Sequence, residues 1–280
     1  MAECLQPQES TVMRFRQFVP KIIICAILQS HFGSAQVLKI SEVEDDSIIR
    51  NNLVFESNRG DSILYFKGYS VIYSYTYNLP QYVFNIITVD QLISSVGRPA
   101  VKRRTTFMPY ILPNGIQSAT NEDYYKSGYD RGHMVPAGDF VWNKELKDET
   151  FYYVNINPQI PTLNRGVWAN LESRIREKVL KYSESAYVVT GAIFNPEYRE
   201  QIGPKGMCVP VAFFKIVYFE KREKMFAFMY DNTIENYFGN INDFQVTVDF
   251  LEKITEEDFF DLLNDDLEVK LESIIENFND

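Results

Sequence analysis

The sequence predicts an α+β domain, a mixed, mainly antiparallel central sheet with flanking helices. Three observations carry the prediction. Aromatics are abundant, with 18 Tyr and 21 Phe in 280 residues, and they gather with β-branched residues in short runs, as strand residues do. Two of those runs, Ser62 to Phe66 and Tyr69 to Tyr75, flank Lys67-Gly68 as the arms of a hairpin. A third stretch, opened by Asn164, repeats Val167, Trp168, Leu171, Ile175 and Val179 at helical spacing. At 45% apolar, the chain can bury a sizeable core.

Taken in order, residues 1–41 read as a targeting segment. Arg14, Arg16 and Lys21 surround a short apolar stretch, Gly33-Ser34-Ala35 follows, and no acid occurs between Glu9 and Glu42. These features fit a secretory signal and a mitochondrial presequence about equally. The uninterrupted apolar run Ile22 to Leu28 is far shorter than the ~20 residues a spanning helix needs, so no stable membrane span is expected. After the first hairpin, Tyr82 to Val89 is extended or mixed. Thr105 to Asp123, with Pro109, Pro113 and Asn114-Gly115, reads as a long irregular connection. Asn143 caps a short helix from Lys144 to Glu149. Phe151 to Ile156 reads as a strand ending at Asn157-Pro158, and the long helix follows. Tyr187 to Thr190, Cys208 to Phe219 and Lys224 to Tyr230 are further strands, the last two joined as a hairpin. Ile254 to Phe278 alternates apolar and acidic residues at helical intervals. The simplest partition is a leader (1–41), one domain (42–250) and an acidic helical extension (251–280).

The formal net charge of -10 argues at first against a polyanionic partner. Its distribution argues otherwise. Residues 251–280 hold eleven acidic and two basic residues, so everything before them nets only -1, and the window from Arg98 to Lys181 nets +4. Within that window Arg98, Lys102, Arg103 and Arg104 form a basic loop, which is either solvated or one wall of a site.

The stretch Tyr129-Asp-Arg-Gly-His-Met-Val-Pro-Ala-Gly-Asp139 sets an imidazole beside a fixed cation and a bendable backbone, equipment suited to phosphate. The chain has two histidines, and His31 lies in the leader, so a general base of the usual kind falls to His133. The plain alternative is a turn histidine satisfied by a neighbour. Cys4, Cys25 and Cys208 are far apart and, with one candidate histidine, exclude a closed zinc site; a catalytic metal would be a hard ion held through oxygen. Asn164, after a strand and at a helix start, offers a neutral carbonyl oxygen to such an ion. Glu172, eight residues on and a little over two turns away, lies on roughly the same side.

Asp130-Arg131-Gly132-His133, Asn155, Asn157-Pro-Gln159, Leu163-Asn164, Trp168 and Leu171-Glu172 together resemble the DNA/RNA non-specific endonuclease family, and within it the endonuclease G branch. The resemblance runs from about Tyr69 to Asn232. It implies a ββα-metal active-site motif and a Mg²⁺-dependent, sequence-non-specific endonuclease that hydrolyses phosphodiesters of DNA and RNA with a histidine-activated water. By the same resemblance His133 is the general base, Asn164 the direct Mg²⁺ ligand (with Mn²⁺ as an alternative ion), and Glu172 the acceptor that orients metal-bound water. Asn155 positions the histidine or those waters, and Arg131 neutralises phosphate. Arg104, with Arg103 as the less favoured choice, stabilises the transition state, and Asp130 supports the site. The family alone implies a homodimer. Two other readings stay open, a catalytically inactive nucleic-acid-binding homologue and a 5′-3′ exonuclease of the same superfamily, and the acidic extension is either a solvated surface or a mask for the basic groove.

Overall fold

The computed structural model describes residues 61–279 apart from 95, 97, 98, 100, 198, 199 and 234–236. The expected leader, with His31, Cys4 and Cys25, lies outside the described residues, as does Arg98. The elements follow as β1 (Ser62–Tyr65), β2 (Tyr69–Ser74), β3 (Leu79–Ile87), α1 (Val89–Ser94), β4 (Asp130–His133), α2 (Lys144–Glu149), β5 (Ile156–Gln159), α3 (Trp168–Tyr182), β6 (Ala186–Ile193), β7 (Gln201–Ile202), β8 (Met207–Cys208), β9 (Ala212–Phe219), β10 (Lys224–Asp231), β11 (Gln245–Val246), α4 (Val248–Thr255) and α5 (Asp265–Glu272). Seven strands make one sheet in the order β1-β2-β3-β6-β9-β10-β11, every neighbouring pair antiparallel.

Period-two alternation gives that sheet two buried faces. In β9, Phe213, Val217 and Phe219 point into a core shared with Trp168, Leu171, Ile175 and Val179 of α3. Phe214, Ile216 and Tyr218 point the other way, onto Leu251 of α4, Phe259, Phe260 and Leu271 of α5. The acidic C-terminal stretch is thus built into the domain. It covers the second face of the sheet, and Phe278 reaches the first core, 5.0 Å from the Phe226 ring and 4.9 Å from that of Phe228. No helix among the described residues is long and apolar enough to cross a membrane.

Several sequence expectations change locally. Phe151 to Ile156 is not one strand: Tyr153–Asn155 close a tight 3₁₀ turn, and β5 begins only at Ile156. The turn is held by Asn155, whose side chain binds backbone on both sides of it, a local competitor that strand propensity does not count. Asn157 and Pro158 therefore lie inside β5. Cys208 to Phe219 splits into β8 and β9 around Pro210, which has no N–H to give a ladder. By contrast Asn143 caps α2 as expected, accepting from the Glu145 and Leu146 amides.

Gly191 of β6 lies opposite Phe214 of β9. A Cβ there would sit 2.1 Å from the Phe214 ring, which is fully buried. Gly191→Ala is expected to destabilise the protein by about 1–3 kcal/mol through overpacking. A thermal melt of the variant measures it, and an unchanged midpoint would contradict the packing described.

Candidate active site

The site is assembled on a strand-strand-helix unit apart from the main sheet. β4 and β5 pair antiparallel, with Asp130 opposite Gln159, Gly132 opposite Asn157 and His133 opposite Ile156. Gly132 is required by this pairing: a Cβ would stand 2.4 Å from Gln159 Oε1 and 2.7 Å from its Cβ, and Gln159 is buried. After β5 the chain makes a π-helical turn, Leu163–Val167, kinked at Gly166, before α3 continues to Tyr182. π turns of this kind recur at functional sites because they redirect one or two side chains without ending the helix.

His133, Asn164 and Glu172 all line one cleft of about 420 Å³, together with Arg103, Gly138 and Arg165. A larger cleft of about 640 Å³, lined by Tyr129, Pro161, Glu200 and Asn232 among others, contains none of the three, so size does not mark the chemistry.

His133 lies between the rings of Phe151 (4.8 Å, edge-on) and Phe107 (5.5 Å). Its Nε2 is buried with no hydrogen-bond partner in the protein. Burial, aided by the nearby Arg103 cation, pushes the imidazole down to about 3. The ring is consequently neutral at pH 7, the form a proton acceptor requires.

Asn164 Nδ2 donates to Asp130 Oδ2 at 2.8 Å, which leaves the amide carbonyl as the atom free for a cation. Asp130 is in turn gripped by Arg165, whose Nε donates to the same oxygen at 2.7 Å. Burial raises the Asp130 carboxyl, but the bonds from Arg165 and Asn164 outweigh it and hold the pKa below the ordinary aspartate value. Asp130 thus orients the Asn164 amide as an anion. Glu172 faces the same cleft from α3, and burial pushes its carboxyl up to about 7, partly opposed by Lys215. An amide oxygen and a carboxylate, with an unpartnered imidazole nitrogen alongside, form a donor set that fits a hard, largely hydrated divalent ion better than a soft one.

Two expected site residues sit outside the lining. Asn155 is fully buried: its Oδ1 accepts from the Val135 amide at 2.9 Å, and its Nδ2 donates to the carbonyls of Val135 (3.0 Å) and Thr150 (2.9 Å). Both ends of the amide are used on backbone, so it fixes the segment that follows His133. Arg131 turns away, its Nε donating to Tyr153 Oη at 3.0 Å and its guanidinium lying over the Tyr124 and Phe107 rings.

The basic loop resolves in favour of Arg103. Arg103 lines the cleft and lies over the Phe151 ring, whereas Arg104 is tied to the Thr106 carbonyl at 3.1 Å and faces Asp148 at 3.9 Å. Adjacent residues in an extended loop point to opposite sides, and composition cannot say which points in. We expect Arg103→Ala to lower the rate of phosphodiester cleavage roughly a hundredfold, as loss of one positioned donor does, and Arg104→Ala to change it by about twofold or less. The same pair tests the electrostatics. His133 resonances, assigned through His133→Ala, should stay at neutral positions from pH 8 to pH 5, and only Arg103→Ala should move the titration upward. Because the folded pKa lies below the unfolded value, His133 leaves the fold unpenalised above about pH 6.5 and removes stability as pH falls toward about 3, with a slope of about 1.4 kcal/mol per pH unit.

Beneath the cleft lies a residue that sequence reasoning passed over. Lys215 of β9 is 1% exposed. Its Nζ donates to the Met134 carbonyl at 3.1 Å and to Thr190 Oγ1 at 2.7 Å, and stands 4.7 Å over the Trp168 ring. Burial lowers its pKa, and Glu172 and Asp139 oppose that. Arg176, one turn past Glu172, donates to the buried Asp139 at 2.8 Å, and Asn85 of β3 donates to the same carboxylate at 3.1 Å. The signal for Lys215 was present: a lone cation inside the apolar run from Val209 to Phe219 is buried only with partners.

Two short strands feeding a helix, with an imidazole on the first and an amide oxygen at the helix entry, are the architecture of a ββα-metal nuclease. Residues 49–266 match the family described as DNA/RNA non-specific endonuclease, and the chain belongs to that family. Among curated relatives, it is 30% identical over 203 residues to "Nuclease EXOG, mitochondrial" of Danio rerio, covering 68% of this chain and 58% of that protein. It is 39% identical over 111 residues to "Endonuclease G, mitochondrial" of Homo sapiens, covering 36% of this chain and 37% of that protein. A solved structure described as the EndoG/EndoGI complex matches with a TM-score of 0.64 and 31% identity over 73% of this chain and 87% of its own. The chain thus spans little more than half the length of the zebrafish relative.

Proposed function

We propose that this protein is a metal-dependent endonuclease that hydrolyses phosphodiesters of DNA and RNA with little regard to base sequence. One observation carries the reading: His133, Asn164 and Glu172, separated by up to 39 positions in sequence, line one cleft. His133 takes the proton of the attacking water, its imidazole held neutral by burial. Arg103 supplies positive charge where it builds on the phosphorus oxygens. Asn164 and Glu172 would hold the ion, Mg²⁺ or Mn²⁺, the first through its carbonyl and the second through ordered water. When bound, that ion neutralises phosphate charge. Asp130, Asn155 and Lys215 act by position, fixing the Asn164 amide, the backbone after His133 and the Met134 carbonyl. Nothing in this scheme touches a base edge, which supports low sequence specificity.

The mitochondrial names of the relatives favour the mitochondrial reading of the N-terminal segment over the secreted one. Cleavage of closed circular duplex DNA and of single-stranded RNA tests the activity. Conversion of the circle to nicked and linear forms supports an endonuclease. A circle left intact while linear DNA is degraded from its 5′ ends would replace that reading with the exonuclease, and binding without cleavage of any substrate would replace it with an inactive homologue.

A further inference from the structure

Three carboxylates on the C-terminal helices face one another away from the cleft. Asp249 and Glu252 lie on α4 and Glu272 is the last residue of α5, and one oxygen from each lies within 4.8 Å of the other two. Glu272 is 4% exposed, and its Oε1 is buried with no hydrogen-bond partner. Glu252 gives one oxygen to the Phe259 amide at 2.8 Å, leaving the other available. Asp249 is exposed and opens the cluster to solvent. The charges that act most strongly on Glu272 are those of Glu252, Glu268, Asp258 and Asp249, all negative. Burial first, and these neighbours second, push Glu272 up to about 9 and Glu252 up to about 7. A buried carboxylate with an orphaned oxygen among like charges is stable only if protonated or if a cation sits among the oxygens.

We propose that Asp249, Glu252 and Glu272 form a structural calcium site that clasps α4 to α5. Calcium binds oxygen at about 2.3–2.6 Å, so two of its ligands can stand up to about 5 Å apart, whereas magnesium, at about 2.1 Å, spans only about 4.2 Å. The 4.8 Å limit on the cluster therefore suits calcium as the side chains stand. The exposed Asp249 end supplies the entry path and room for water ligands. This ion has no part in the reaction; it relieves repulsion between two helices that cover the second face of the sheet.

The test is the thermal midpoint of the full chain at pH 7.5, first in chelator and then in about 5 mM calcium chloride or magnesium chloride. Calcium should raise it by roughly 3 °C or more, and magnesium by less. Asn164→Ala, which removes the ligand proposed in the cleft, should keep the calcium shift. Glu272→Gln should lose the shift and melt higher than the parent in chelator. Asp249→Asn, at an exposed position, should weaken the shift and serves if Glu272→Gln does not fold. No calcium shift in Asn164→Ala, or an undiminished shift in both cluster variants, overturns the site.

Discussion

Replacing His133 by alanine is expected to reduce single-turnover cleavage of duplex DNA by roughly a thousandfold or more while leaving affinity for the same DNA within about twofold. The size follows from scarcity. No other histidine lies among the described residues, and the carboxylate that shares the cleft is needed to order water around an ion. Affinity survives because phosphate contacts come from cations, and the neutral imidazole adds no charge to them. Stability should change little, since Nε2 makes no bond within the protein and only contacts with Phe107 and Phe151 are lost. Below about pH 6 the variant should be the more stable of the two, because it no longer carries a group buried in its neutral form. Cleavage by His133→Ala at close to the parent rate would end the proposed mechanism.

Asn164→Ala is the second. It should lower activity at fixed Mg²⁺ by at least about a hundredfold and weaken Mn²⁺ binding in the cleft, read by the electron paramagnetic resonance of the free ion. Asn164→Asp is the more informative partner. Aspartate is the usual choice for a hard cation, yet here it would face Asp130, whose carboxylate now accepts the Asn164 amide at 2.8 Å. Two carboxylates at that distance cannot both ionise freely, so one takes up a proton and the site loses either its ligand or its brace. The aspartate variant should therefore fail as well, and recover in part when Asp130→Asn is added. A fully active Asn164→Asp protein would remove the reason given for an amide at this position.

How much of this was legible in the residues depends on the range of the interaction. Hairpins, the α2 cap and the apolar stripe of α3 are local, and they stand where the residue pattern puts them. The pairing of His133 with Asn164 and Glu172 was reachable only through the family resemblance, since no spacing rule spans those separations. Arg103 against Arg104 was undecidable from composition, because the choice rests on which way a loop residue turns. The C-terminal stretch was misleading for a different reason: its charge dominates the pattern, while Leu251, Phe259, Phe260 and Leu271, which decide its place, are few.

Lys215 and Phe214 are neighbours in β9 and face opposite sides of the sheet. Slipping β9 by one position against β6 would exchange them, withdrawing the ammonium from beneath the Met134 carbonyl and driving a benzyl ring into its place. Gly191, which accepts the Phe214 ring only in the native alignment, blocks that slip. Strand alignment in this protein is consequently a determinant of turnover: a mutation at the rear of the sheet, touching neither nucleic acid nor ion, can silence the enzyme while leaving every cleft residue unchanged.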